Sequence, residues 1–325
     1  MTPTFRIFAD TQEITDVILD RFISLSVTDE EGMQSDTAEI CLDDRNSAIE
    51  LPPKGANLKI LLGYKEEGLV EMGLFTVDEV ELMGPPDVLI IKGKSANMRD
   101  SLKEQKTRSW DVTTIGDLVA AIAGEHGFEP RVGEFLSPID LPHLDQTEES
   151  DLHLLTRLAR QYGAISKPAG NYLLFVPKGE GKSATGKAIS PVAINRSEAS
   201  NHRVTLADRG KYQAVLANWH DTVTGKRISV KVGDEKPVFT LRHVYSDATA
   251  AEIAAQAKLD KLKRGLGTLS LTLQHGNSKL AAGAKLTLSG FRNGVDGDWV
   301  ATRVNHNLSG GGYSSRVDAE IPKGR

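Results

Sequence analysis

Short runs of strictly alternating apolar and polar residues fill the first third of this 325-residue chain, give way once to helical spacing, and then resume to the end. Successive side chains on a strand point to opposite faces, so each run buries one face and needs a second layer to cover it. RFISLSV puts Ile23, Leu25 and Val27 on one face, TAEICL follows, and NLKILLGY sets Leu58, Ile60, Leu62 and Tyr64 in phase. GLFTVDEVEL and DVLIIKGKS continue the series, with Gly84, Pro85 and Pro86 as the turn between them. With FRIF at the start this amounts to about six strands, enough for a small closed or nearly closed sheet.

The period changes near residue 107. In WDVTTIGDLVAAIAGEHG, Thr114 and Asp117 form a capping pattern, Ile115, Leu118, Val119 and Ile122 share one helical face, and Gly127 is the stop. A second helix is expected in QTEESDLHLLTRLARQYG. Glu148, Glu149 and Asp151 fall in its first turn, Leu152, Leu155, Leu158, Ala159 and Tyr162 form its buried face, Arg157 and Arg160 lie near its end, and Gly163 follows it. A strand, NYLLFVPKG, and the connection GEGKSATGKAISP close this part. Alternation then returns in KYQAVLANWHD, RISVKVG, PVFTLRHVY, TLSLTLQH, AKLTLSG, DWVATRVNHNL and GYSSRVDAEI. One helix interrupts it, with Thr249 and Glu252 as a capping box and Lys258, Lys261, Lys263 and Arg264 near its carbonyl end.

The chain therefore reads as mainly β with an α+β middle: a first β-barrel module at 1–106, a middle module at 107–202, and a second β-barrel module at 203–325 with a helix inserted at about 247–264. No repeat with a short period is present, and the two β stretches show no obvious relation in sequence.

Charge is divided unevenly. Residues 1 to 110 carry 12 Lys and Arg against 21 Asp and Glu, net −9, and the remainder 27 against 23, net +4. Such a split suits a ring in which one module meets a different module of its neighbour. Without a basic stripe or an aromatic platform, nucleic acid is not an expected ligand. No apolar run has the length of a membrane span, and acidic residues near the start replace a leader's basic head, so synthesis in the cytoplasm is expected. The single cysteine, Cys41, excludes an intrachain disulfide and sits off the apolar face of Ala38, Ile40 and Leu42.

Chemical motifs are weak throughout. The Gly-Glu-Gly-Lys-Ser loop at 179–183 lacks the leading glycine of a phosphate loop, with Val176 in its place, and the Gly93 to Ser95 stretch fails likewise at Val88. None of His126, His143, His153, His202, His220, His243, His275 and His306 has metal-ligand spacing, although His220, His243, His275 and His306 all fall in expected strands of the second β module, where convergence in space is open to them. Asp296 and Asp298 in NGVDGDW belong to a hairpin turn. No catalytic, cofactor-binding or metal residue is assigned, and the chain is expected not to be an enzyme. A tail-associated cell-wall hydrolase or a peptidoglycan-binding module is the alternative, the latter from a partial LysM-like stretch in VTTIGDLVAAIAGEHGF.

Two segments carry a family resemblance. Asp145 to Gly179, with its acid-start helix, the Leu158-Ala159-x-x-Tyr162-Gly163 ending and the strand after it, is one. Gly267 to Ile321, with the Gly297-Asp298-Trp299 turn, Val304 to His306 and the step at Gly312 and Tyr313, is the other. Both resemble the late control D protein family of contractile-tailed phages, which includes the hubs of R-type pyocins and is related to the hub part of VgrG. The resemblance implies a homotrimer whose two barrels per subunit make a pseudo-hexameric ring between tail tube and spike. Its expected partners are the tail tube protein, the spike, baseplate wedge components and the tape measure protein, and its expected site is the tail baseplate after assembly in the host cytoplasm. Unlike VgrG, this sequence shows no spike β-helix, so the spike is expected to be a separate chain.

Overall fold

The computed structural model describes residues 1–32, 35–53, 55–95, 100–169, 171–179, 189–207, 212–234 and 236–322. Strands occupy 54% of the chain and helices 18%, so it is mainly β, as the alternation requires.

The first stretch gives β1 (Pro3–Ala9), β2 (Gln12–Glu13), α1 (Thr15–Leu19), β3 (Phe22–Glu30), β4 (Thr37–Asp43), β5 (Asn57–Tyr64), β6 (Gly68–Met83) and β7 (Val88–Ser95). The middle gives β8 (Gln105–Thr114), α2 (Ile115–Glu125), β9 (Glu129–Val132), β10 (Asp140–Ser150), α3 (Asp151–Gln161), β11 (Ala164–Ala169) and β12 (Tyr172–Pro177). The last stretch gives β13 (Val192–Asn195), β14 (Ala199–Leu206), β15 (Ala214–Asp221), β16 (Lys226–Val232), β17 (Val238–Tyr245), α4 (Ala248–Arg264), β18 (Gly267–Leu273), β19 (Lys285–Ser289), β20 (Gly297–Ser309) and β21 (Gly312–Glu320).

A single sheet of 13 strands unites both ends of the chain, in the order β14-β18-β21-β20-β3-β4-β7-β6-β5-β1-β2, with β19 also on β20 and β13 on β19. It wraps two apolar cores. One holds Ile7, Leu25, Ile40, Ile60, Leu62 and Phe75, and the other Leu271, Leu286, Trp299, Val304 and Val317. The middle part has a third core between α2, α3 and its short strands, and a fourth lies between α4 and the separate sheet β16-β15-β17. The segments KYQAVLANWHD, RISVKVG and PVFTLRHVY thus form strands, but they pair with one another and not with the large sheet.

Several local expectations change. Leu25 and Val27 are buried as the alternation demands, but Ile23 is exposed, because the β3–β4 register shifts between Phe22 and Ser24 and the bulge turns Ile23 outward. Glu148 and Glu149 precede α3 in strand β10, so Asp151 alone is the acid of its first turn, and Ser150 caps it by accepting from His153 N at 3.2 Å. The cap of α4 is Asp247, whose Oδ1 accepts from Ala250 N at 2.8 Å, in place of Thr249. Thr114 caps α2 as expected, accepting from Asp117 N at 3.1 Å.

The two ends of the chain repeat one pattern. In both, five antiparallel strands pair in the same order: β3-β4-β7-β6-β5 and β14-β18-β21-β20-β19. Both have a bulge in the first strand, between Phe22 and Ser24 and between Ala199 and Asn201, and another in the long strand, between Val77 and Glu79 and between Ala301 and Arg303. Each long strand also has a positive-φ glycine two residues before a fully buried ring: Gly73 (φ 145°) before Phe75, and Gly297 (φ 113°) before Trp299. Gly55-Ala56 and Gly283-Ala284 make matching bonds to the long strands, Val77 N to Ala56 O at 2.8 Å and Ala301 N to Ala284 O at 2.9 Å. The leading strands differ, β1 running antiparallel to β5 and β13 parallel to β19.

Candidate functional site

Both large cores lie on one side of the eight strands from β14 to β6, and the opposite side is a single, largely polar face on which Ile90, Val88 and Met83 are the apolar members at the end of β6 and β7. Direct pairing fixes its members: Asn305 lies opposite Thr28, Asn307 opposite Ser26 and Ser309 opposite Ser24, and Ser26 in turn faces Glu39. Asn305 Nδ2 donates to Ser26 Oγ at 2.9 Å and Thr28 Oγ1 at 2.8 Å, tying the two halves of the chain together. Charges on this face are paired across strands. Arg303 meets Glu30 at 3.1 Å, Lys92 meets Glu79 at 2.9 Å and Glu81 at 2.8 Å, and Lys94 meets Asp78. Cys41 lies on the same face opposite Ser24, and burial raises its thiol pKa.

The middle part is held to the sheet by two lysines. Lys167 on β11 reaches Glu30 O at 2.5 Å, Asp36 at 3.2 Å and Asp29 at 3.8 Å. Burial first, and then the neighbouring Asp36 charge, push the Asp29 carboxyl up to about 6. Lys178 meets Glu320 at 2.8 Å and the buried Glu31 at 3.6 Å, and Glu320 also takes Arg264 of α4 at 3.2 Å. Gly179 N donates to Glu31 Oε1 at 3.1 Å. Four parts of the chain therefore meet at one ion-paired joint.

One constellation was invisible in the sequence. Ser101 Oγ lies 2.8 Å from His126 Nδ1, and His126 Nε2 lies 2.8 Å from Asp151 Oδ2, which superficially resembles a Ser-His-Asp triad. With Nε2–H given to Asp151, Nδ1 accepts from the Ser101 hydroxyl. However, Asp151 also accepts from Lys106 at 2.6 Å, Arg108 at 2.7 Å and Gln146 at 2.8 Å. Burial alone would raise this carboxyl, but the bonds from His126, Lys106 and Gln146 outweigh it and hold it at about 2. Its charge is neutralised by two cations, Lys106 and Arg108. The arrangement joins the turn at Ser101, strand β8, the end of α2 and the start of α3.

Glu125, His126 and Asp151 are the one group among the described residues whose ligand atoms lie close enough for a metal. Lys106 and Arg108 already sit between the two carboxylates, bonded to Glu125 at 2.7 and 2.5 Å, so a metal cation would have to displace both.

The remaining motifs fall apart in space or into turns. Gly93 to Ser95 lies inside strand β7, where no phosphate loop can form, and residues 180–183 of the other Gly-Lys-Ser stretch fall outside the described residues. The strand histidines do not converge: His220 and His243 are in the β16-β15-β17 sheet, His306 is buried in the large one, and His275 sits in a bend after β18. Burial pushes His306 down to about 4, with Ser315 at 2.9 Å from Nδ1 and Leu280 O at 3.2 Å from Nε2. Asp296 caps the turn before β20, accepting from Phe291 N at 2.8 Å.

A wide polar sheet face, two related halves and ion-paired seams define an assembly protein. The family model described as phage tail baseplate hub (GPD) matches residues 78–312. Probable baseplate hub proteins of Escherichia phages P2 and 186 are 36% and 35% identical, each over 99% of this chain and over 94% and 93% of their own lengths. The 43 kDa tail protein of prophage MuSo2 from Shewanella oneidensis superposes with a TM-score of 0.73 at 12% identity, covering 99% of this chain and 98% of its own. The chain belongs to the phage tail baseplate hub family, in agreement with the late control D resemblance, and is a structural component of the tail baseplate.

Proposed function

We propose that this hub protein assembles as a homotrimeric ring with pseudo-sixfold character, joining the tail tube on one side to the spike on the other, and that it has no enzymatic role. The observation that carries the reading is the repeated five-strand pattern on one continuous sheet, since two like halves per chain let three chains present six like units. In this reading the modules at 1–106 and 203–325 form the ring, with β13 joined to the second by its pairing to β19, and the module at 107–202 decorates it and meets wedge components. The polar face of the sheet lines the channel. Most of its cations are paired with carboxylates and its centre is Ser, Thr and Asn, so a polyanion or an unfolded tape measure protein would find little to hold it. Assembly takes place in the host cytoplasm.

Light scattering with negative-stain microscopy of the purified protein, and of tails made with the neighbouring genes, tests this. A threefold ring with a central hole is expected. A protein that stays monomeric in both settings and hydrolyses cell wall would overturn it.

A further inference from the structure

Inside the chain, the two halves join where the second part of β20 continues the sheet into β3. Gly297–Val300 pairs with β19, and then Arg303–Ser309 leaves β19 and pairs with Ser24–Glu30. The first half contains the same long strand in β6. Gly68–Thr76 pairs with β5, and the strand then runs on to Met83 with β7 on one side and, among the described residues, no strand on the other. At the far end of the sheet β14, which occupies the place of β3, has β18 on one side and likewise no described strand on the other. One half therefore has the donor side of the joint open, and the other has the acceptor side open.

We propose that the open edge of β6, from Glu79 to Met83, pairs antiparallel with the open edge of β14 in a second copy of this chain, reproducing between subunits the joint that β20 and β3 make within one. This rests on the ring reading and gives it a register. The matched bulges align Val77 with Ala301 and Phe22 with Ala199. Asn305 opposite Thr28 then becomes Glu81 opposite Thr205, and His306 opposite Val27 becomes Leu82 opposite Val204.

Two independent features fit this register. Leu82 and Leu206, which are 59% and 55% exposed, fall on the core side of the seam, with Leu206 opposite Val80, so pairing covers both. The charges are also complementary. Asp78, Glu79 and Glu81 mark the β6 edge and outnumber Lys92 and Lys94, with which they pair, whereas the β14 edge borders a groove of about 610 Å³ lined by Arg196, Arg203, Arg292, Leu206 and Phe291. Arg203 falls diagonally across from Glu81, within reach of a long side chain.

Cysteine pairs test the register, in a Cys41→Ser background. Neighbouring cross-strand pairs alternate between wide and close spacing, so Glu81→Cys with Thr205→Cys and Leu82→Cys with Val204→Cys together include one of the close kind that admits a disulfide. Under mild oxidation, at least one of these pairs should give covalent dimers and trimers in assembled tails, at least tenfold above the control Leu82→Cys with Thr205→Cys, whose side chains point to opposite faces. Arg203→Glu should weaken self-association about two- to fivefold, and adding Glu81→Arg should restore it. Rings that form in the microscope while neither pair cross-links above control would overturn the inference and leave the ring reading standing. A chain that never forms rings would remove both.

Discussion

The buried Asp151 gives the sharpest test of how the middle part is held. Asp151→Ala removes the acceptor of four bonds, to His126 at 2.8 Å, Lys106 at 2.6 Å, Arg108 at 2.7 Å and Gln146 at 2.8 Å. Lys106 and Arg108 have only 26% and 27% of their side chains exposed, so both cations lose their main partner in a place where water reaches them poorly, although Glu125 still contacts each. Removing one side of a buried pair typically costs about 3–5 kcal/mol. The surviving Glu125 contacts and partial exposure place the expected loss near the lower end, about 3 kcal/mol. Asp151→Asn retains one acceptor oxygen and should lose less. Urea unfolding followed through Trp110, whose ring lies 4.3 Å from the Arg108 guanidinium, reads the transition of this part. Ser101→Ala is the companion: as one part-buried hydrogen bond on a structural cluster it should cost about 1 kcal/mol and leave assembly unchanged. The clamp reading fails if Asp151→Ala loses under about 1 kcal/mol, or if Ser101→Ala abolishes a hydrolytic activity of the wild-type protein.

Three further outcomes are expected. His306 is held near 4 by burial, below its ordinary value of 6.5, so the folded state binds fewer protons than the unfolded one. Its contribution is therefore full above about 6.5 and falls by about 3 kcal/mol as the pH drops to about 4, a slope that urea titrations should find flattened in His306→Asn. Lys178→Met leaves Glu31 and Glu320 with Arg264 as their cation, and should cost about 2 kcal/mol and speed proteolysis between the middle part and the sheet. Gly297→Ala forces a side chain onto a φ of 113° and should lower the midpoint of unfolding by more than the same change at Gly310, where an added Cβ meets nothing within 4 Å.

Much of this fold was legible because burial follows alternation and helical spacing directly. Leu58, Ile60, Leu62 and Tyr64 share a buried face as their spacing requires, and so do Ile115, Leu118, Val119 and Ile122. What failed depended on partners distant in sequence. The bulge at Phe22 to Ser24 exists only against β4, so nothing in RFISLSV could show that Ile23 turns outward. Strands β8 and β10 were missed because their inward faces carry polar side chains, Lys106 and Arg108 on one and Gln146 on the other, and their pairing lies across a helix. The Ser101, His126 and Asp151 cluster draws on residues with no motif spacing, brought together by the packing of α2 on α3.

The repeat between the two halves was hidden for a related reason. What it conserves is a set of backbone events: a Gly-Ala step beside the long strand, a positive-φ glycine before a buried ring, and a bulge two residues after that ring. Only the glycines and the aromatic class are constrained by those events, since Phe75 and Trp299 fill the same kind of place with different rings. Side chains on the open face answer instead to the neighbouring strand, so Glu79 and Lys92 in one half stand where Arg303 and Asp318 stand in the other, with the charges exchanged. Such an exchange keeps opposite charges on neighbouring strands while erasing the sequence match, even though Arg303 takes Glu30 of β3 as its ion-pair partner. It also keeps cross-strand partners of opposite charge within reach in both halves, which a search for similar residues would never reward.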